Sequence, residues 1–128
     1  MTSQVTKVTY LKVFNMNKSE IDFNADKVNK AILSSFQQHK TEIKLLFDRY
    51  TLRDTGNLIN TAEVIDTDSG ISIEYTADYA PYVYHRDDIT PSTPGTSSYW
   101  DDKAIESAEF SKILDRIKED AVDAINRK

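Results

Sequence analysis

Between Asn24 and Tyr50 the apolar side chains return every three or four positions: Val28, Ile32, Phe36, His39, Ile43, Leu46, Phe47 and Tyr50. That spacing lines one side of an α-helix, and Lys27, Lys30, Lys40, Lys44 and Asp48 mostly fall off the stripe. Asn24 can accept from the first free N–H groups, and Asp26 suits the positive end of the helix dipole. A stripe this long must be covered, and a sheet is the natural cover. The expected class is therefore α+β: a long N-terminal helix over 24–50, packed on a small antiparallel sheet that contains a central β-hairpin, with a C-terminal helix that is kinked. His39 lies within the stripe and reads as a buried or half-buried structural histidine rather than a ligand or a base.

The 128 residues suit one domain. Val5 to Asn17 reads as a strand, with Val8, Tyr10, Phe14 and Met16 on one face, interrupted by Lys12; residues 1–20 are thus a strand-like N-terminal arm. Arg53-Asp54-Thr55-Gly56 ends the helix. Leu58 to Asp66 and Ile71 to Ala77 then form a hairpin across Thr67-Asp68-Ser69-Gly70, with Gly70 free to take a positive φ. Ile71, Ile73, Tyr75 and Ala77 share one face. An aromatic segment follows, Asp78 to His85, in which Pro81 starts a short helical turn or ends a strand. The polar segment 86–98 is a long loop, and loops of that length are usually functional or disordered. Ser97 or Ser98 can cap a helix carrying Trp100 and Ala104. A further stripe, Phe110, Ile113, Leu114, Ile117, Ala121 and Ile125, is out of register with it, which predicts a break near Ser107 to Glu109.

Charge is unevenly divided. The chain carries −5 in total, yet residues 63–102 hold nine acids against the single cation Arg86, a net of −8. With a net charge of −5, a free-standing basic nucleic-acid binder is not expected. The acids at Asp66, Asp68, Glu74, Asp87 and Asp88, with Tyr84, His85 and Arg86 among them, are candidates for an interface with a basic partner or for a surface that avoids a polyanion. The cluster Tyr75, Tyr79, Tyr82, Tyr84, Tyr99 and Trp100 reads either as one side of a core or as interface anchors.

Catalytic and cofactor patterns fail one by one. There is no cysteine and no phosphate-cradling glycine loop. The two histidines lack ligand spacing. Asp66-Thr67-Asp68-Ser69-Gly70 opens like a calcium loop, but its glycine and glutamate positions fall on Ile71 and Ala77. Neighbours such as Asp87-Asp88 or Asp101-Asp102 point apart, unlike an acid/base dyad. Ser97, His85 and Asp87 have no nucleophile elbow beside them. No apolar run approaches the ~18 residues of a membrane span. No cofactor, metal, membrane or enzymatic activity is expected.

Arg53, Thr55, Gly56 and Leu58, then Tyr79, Ala80, Pro81 and Tyr82, then Trp100 with Ala104, follow in an order and spacing that resembles the head–tail joining proteins of long-tailed bacteriophages, which include minor capsid, neck and tail-completion proteins. In that family a long helix precedes a threonine/serine–glycine–x–leucine turn; two strands, a tyrosine–alanine–x–aromatic segment, a variable loop and an aromatic residue opening a C-terminal helix follow. The resemblance spans roughly Asn24 to Ile125. His85-Arg86 stands where the family often has glycine. The resemblance implies scaffold roles for these ten residues and a homo-oligomeric ring, with a hexamer as the stoichiometry that matches tail symmetry. It also implies a place in the virion neck between the head connector or stopper and the tail tube, assembled in the bacterial host's cytoplasm, with genomic DNA passing the lumen without sequence-specific binding. The 1–20 arm and the 86–98 loop would then reach between subunits. Two other classes fit the residues: a small acidic protein-binding module outside any virion, and a small hydrolase using His85 and nearby acids.

Overall fold

The computed structural model describes residues 8–23, 29–51, 57–86, 96 and 98–126. Strands β1 (Tyr10–Asn15) and β2 (Lys18–Phe23) form one hairpin, and β3 (Ala62–Asp66) and β4 (Gly70–Tyr75) form another. The hairpins meet through β2 and β4, giving a four-stranded antiparallel sheet of order β1-β2-β4-β3. Helices α1 (Lys30–Gln38), α2 (Lys40–Tyr50), α5 (Trp100–Ile105) and α6 (Ala108–Asn126) cover one face of it, with short turns α3 (Asn57–Asn60) and α4 (Ala80–Tyr84) at the ends. The class is mixed α and β, as the patterning predicts.

The first hairpin corrects the expectation of one strand and an arm. The chain reverses at Met16-Asn17, where Met16 has φ of 57°, and Ser19, Ile21 and Phe23 then face the core. Because β2 is an interior strand, residues 8–20 belong to the domain rather than to a detachable arm, while 1–7 lie outside the described residues. Alternation was present in Lys18–Phe23, but polar Ser19 occupies a core position and blurs it.

The expected 24–50 helix is also corrected. Asn29 is the N-cap of α1, its side chain accepting from Ile32 N at 3.0 Å; Asn24, Asp26 and Val28 lie outside the described residues. The helical path is interrupted at His39, whose ψ of 12° departs from the helical value of about −42°. One residue of interruption preserves the phase of the stripe, so Ile32, Phe36, Ile43, Leu46 and Phe47 are all buried as their spacing requires. Ser35 Oγ donates to Ile117 O at 2.8 Å and ties α1 to α6.

In the second hairpin Ile71, Ile73 and Tyr75 pack inward. Leu58 is buried too, on the turn α3 rather than on a strand. Gly70 does not adopt a positive φ; a Cβ there would collide with the carbonyl oxygen of Ile21 across the β2–β4 seam. Glycine is required for close approach. From the helical layer, Gln37 Nε2 donates to Thr67 O at 2.9 Å and Gly70 O at 3.1 Å, bracing the turn.

The break between α5 and α6 falls at Glu106-Ser107, where the shift in register predicts it. Phe110, Ile113, Ile117 and Ala121 are buried, whereas Ile125 is exposed. Ser98 is not the N-cap of α5. Tyr99 holds the N-cap position with φ of 50°, without a side-chain cap, and its N–H donates to Tyr84 O at 3.0 Å. Ser97 lies outside the described residues.

Candidate functional site

The strongest concentration of polar chemistry is on the inner face of the sheet. Lys12 points inward from β1, opposite Ile21, and reaches Asp101 at 3.2 Å and Asp102 at 2.5 Å. Asp101 is fully buried. It also accepts from Ser19 Oγ at 3.0 Å, Tyr84 OH at 2.5 Å and Asp102 N at 2.7 Å. A buried carboxylate is tolerated only with its lone pairs met and a counter-charge at hand, and this one has both. For Lys12, burial favours the neutral amine, but the hydrogen bonds and charges of Asp102 and Asp101 outweigh it and hold the ammonium above its ordinary value.

Aromatic rings enclose the cluster. Phe14 stacks on Tyr84 with centroids 3.7 Å apart and planes within 5°. Trp100 stands edge-on to both and donates from Nε1 to Tyr75 OH at 2.9 Å. Burial drives both phenols well above their ordinary value, with Asp101 adding to the shift at Tyr84. Both hydroxyls therefore stay protonated, and that of Tyr84 donates to Asp101. Asp101 is sealed, saturated and ion-paired, so the group specifies packing and has no free face for a substrate. Adjacent carboxylates 101 and 102, expected to point apart, are bridged by one lysine from β1; nothing in the local sequence signals that partner.

The outer face of the sheet has the opposite character. Leu11 is 63% exposed, Val13 46% and Ile65 42%. Between them lie Glu20, Asp22, Glu63 and Glu74, with Lys18 as the one basic residue among the described strands of that face. Glu63 stands directly across from Glu74, a like-charge cross-strand pair that destabilises an isolated sheet. Lys18 lies 3.6 Å from Glu20.

At the helix break, His39 Nδ1 lies 2.6 Å from Glu42 Oε1 and Nε2 lies 2.8 Å from Asp120 Oδ2. Two carboxylate neighbours require both ring nitrogens to donate. Burial favours the neutral ring, but the bonds to Glu42 and Asp120 prevail and raise the imidazole above its ordinary value. Glu42 also pairs with Arg116. His39 is thus half-buried and structural, as the stripe suggests. Beside it a groove between α2 and α6 is lined by Leu45, Arg49, Glu109, Lys112 and Arg116.

The residues singled out from sequence separate into three groups. Leu58, Ala80, Trp100 and Ala104 are buried in one core. Tyr84, expected at an interface or lumen, is instead a core residue, because its hydroxyl is committed to Asp101. Tyr79 and Tyr82 are exposed, Tyr82 at 73%, while Pro81 opens α4; Tyr82 therefore anchors nothing in the core. Asp66 is on the surface, paired with Lys40 at 3.2 Å, and Asp68 is exposed in the turn. Glu74 is half-buried on the outer sheet face, and His85 and Arg86 are exposed. The His85 ring meets those of Tyr84 and Tyr99. Arg53, Thr55, Gly56, Asp87 and Asp88 lie outside the described residues. Among the described residues no cluster of histidine and carboxylates is arranged to hold a metal, and no helix is long and apolar enough to cross a membrane. Sequence reasoning missed Lys12, Ser19 and Asp101 as a unit; a lone lysine at an inward position of a strand was the available signal.

Comparison with protein-family models, with curated proteins and with solved structures finds no match to this chain.

Proposed function

We propose that this chain is a structural subunit of a bacteriophage neck: a tail-completion protein that forms a ring, most simply a hexamer, between the head connector and the tail tube. It is a scaffold and not an enzyme. The observation that carries the reading is the outer sheet face, where exposed aliphatic side chains lie among carboxylates on a rigid four-stranded platform. A surface of this kind is suited to assembly. Leu58, Ala80, Trp100 and Ala104, which carry the family resemblance, meet in one core, in keeping with scaffold roles. The best-developed polar cluster is sealed and leaves no reactive group open to substrate. In such a ring exposed acids such as Asp68, where they face the lumen, repel the phosphate backbone so that DNA slides.

Mass measurement with negative-stain imaging tests the reading, on the protein alone and mixed with the tail-tube and connector proteins of the same phage. A ring, or density at one tail end, is expected. A monomer that ignores both proteins would overturn it and leave an acidic binding module in its place.

A further inference from the structure

We infer that the outer sheet face of one copy docks the α2–α6 groove of the next copy, in a head-to-tail contact between unlike surfaces. The inference rests on the ring reading for closure, but the pairing itself comes from the two faces. The sheet face presents Leu11, Val13 and Ile65 to solvent, with four carboxylates and one lysine around them. On the helical side the groove presents Leu45, 60% exposed, between Arg49, Lys112 and Arg116. Glu42 and Glu109 are the acids of that groove, and they pair with Arg116 and Arg49. Lys112 makes no ion pair among the described residues. Each surface thus offers an apolar contact with charge of one sign in excess, and the signs are opposite.

The sheet face carries a further mark of a partner. Among the described residues Glu63 and Glu74 oppose each other without an intervening cation: Lys18, although across from Glu74, lies nearer Glu20. A cation supplied from outside relieves this repulsion, and Lys112 or Arg49 of a neighbouring copy is of the right charge and reach. Because the two surfaces lie on different sides of the molecule, each copy can be donor and acceptor at once. Repetition of such a contact closes into a ring when the rotation permits and otherwise grows as a filament.

Two charge-reversed variants test the pairing by sedimentation velocity: E63K/E74K on the sheet face and R49E/K112E in the groove. Each alone is expected to weaken self-association by about tenfold or more, since like charges now face each other. Mixed in equal amounts, the two assemble in alternation, because the unaltered sheet face of one meets the unaltered groove of the other and the two reversed surfaces also attract. The chain carrying all four reversals recovers assembly. Circular dichroism and a cooperative thermal transition of E63K/E74K should show a folded monomer, which separates lost contact from lost fold. Wild-type-like assembly of either variant, or an equimolar mixture that stays monomeric, overturns the contact. If wild type is monomeric alone yet binds a tail end, the contact is overturned and the neck reading stands.

Discussion

Lys12 and Lys18 occupy neighbouring strands on opposite faces of one sheet, and their surroundings treat charge in contrary ways. Lys12 is drawn inward to a buried carboxylate that has hydroxyl, amide and ammonium donors around it. Lys18 stays at the surface among acids that outnumber it. On the inner face the ionic groups complete one another, so the charge fixes how β1, β2, α4 and α5 meet. On the outer face they do not, and Glu63 stands across from Glu74 with no compensating ion pair among the described residues. The same sheet therefore carries a structural charge cluster and an unfinished one. His39, half-buried between α2 and α6, stands between these extremes.

The largest expected effect breaks the inner cluster. D101A leaves Lys12 buried beside only Asp102 and removes the acceptor of Ser19 and Tyr84; removing one partner of a buried pair costs about 3–5 kcal/mol. Chemical denaturation should show that loss. A drop below ~1 kcal/mol would mean that the cluster is not structural. Y84F is milder. It keeps the stacking on Phe14 and removes one donor to Asp101, for an expected ~1–2 kcal/mol.

His39 sharpens the comparison through pH. Its imidazole is held above the ordinary 6.5, so its contribution is full below that value and is lost as pH rises through the folded-state value. Glu42 is held below its ordinary value by the hydrogen bond to His39, with Arg116 adding to it. Its contribution is therefore present above the carboxylate range and fades as pH falls. The pair stabilises most between these limits. Because its carboxylates are largely solvated, the total is below about 1 kcal/mol. Melting curves of wild type should decline from pH 6.5 towards alkaline values, and H39Q should remove that part of the slope; an unchanged slope places the titration elsewhere. The smallest effect is on the outer face, where E63K replaces a like-charge cross-strand pair with an attractive one. It should raise monomer stability by about 0.2–1 kcal/mol, and a measured loss would contradict the account of that face.

Legibility in the sequence followed how local the cause was. The second hairpin and the α5–α6 break were readable, since Thr67–Gly70 is turn chemistry and two apolar stripes fall out of register at Ser107. The interruption at His39 was not, because a single residue out of helical geometry keeps Phe36 and Ile43 on the same side. The β2 strand hid behind Ser19, and Lys12 broke the inward face of β1. Both exceptions exist for Asp101, which is 82 residues from Ser19 in the chain, and a partner that distant leaves no local mark. The exposed acids were visible as a charge imbalance, but which of them share a face required the register of β2, β4 and β3.

The close approach at Gly70 bears on the order in which the chain folds. Each hairpin joins residues close in sequence, and such pieces form within microseconds. The β2–β4 seam joins strands about fifty residues apart, the kind of distant contact that slows folding. A side chain at position 70 would obstruct that late step and leave the hairpins themselves intact. G70A should therefore act chiefly on the refolding rate if the seam is formed in the transition state, and on the unfolding rate if it closes afterwards.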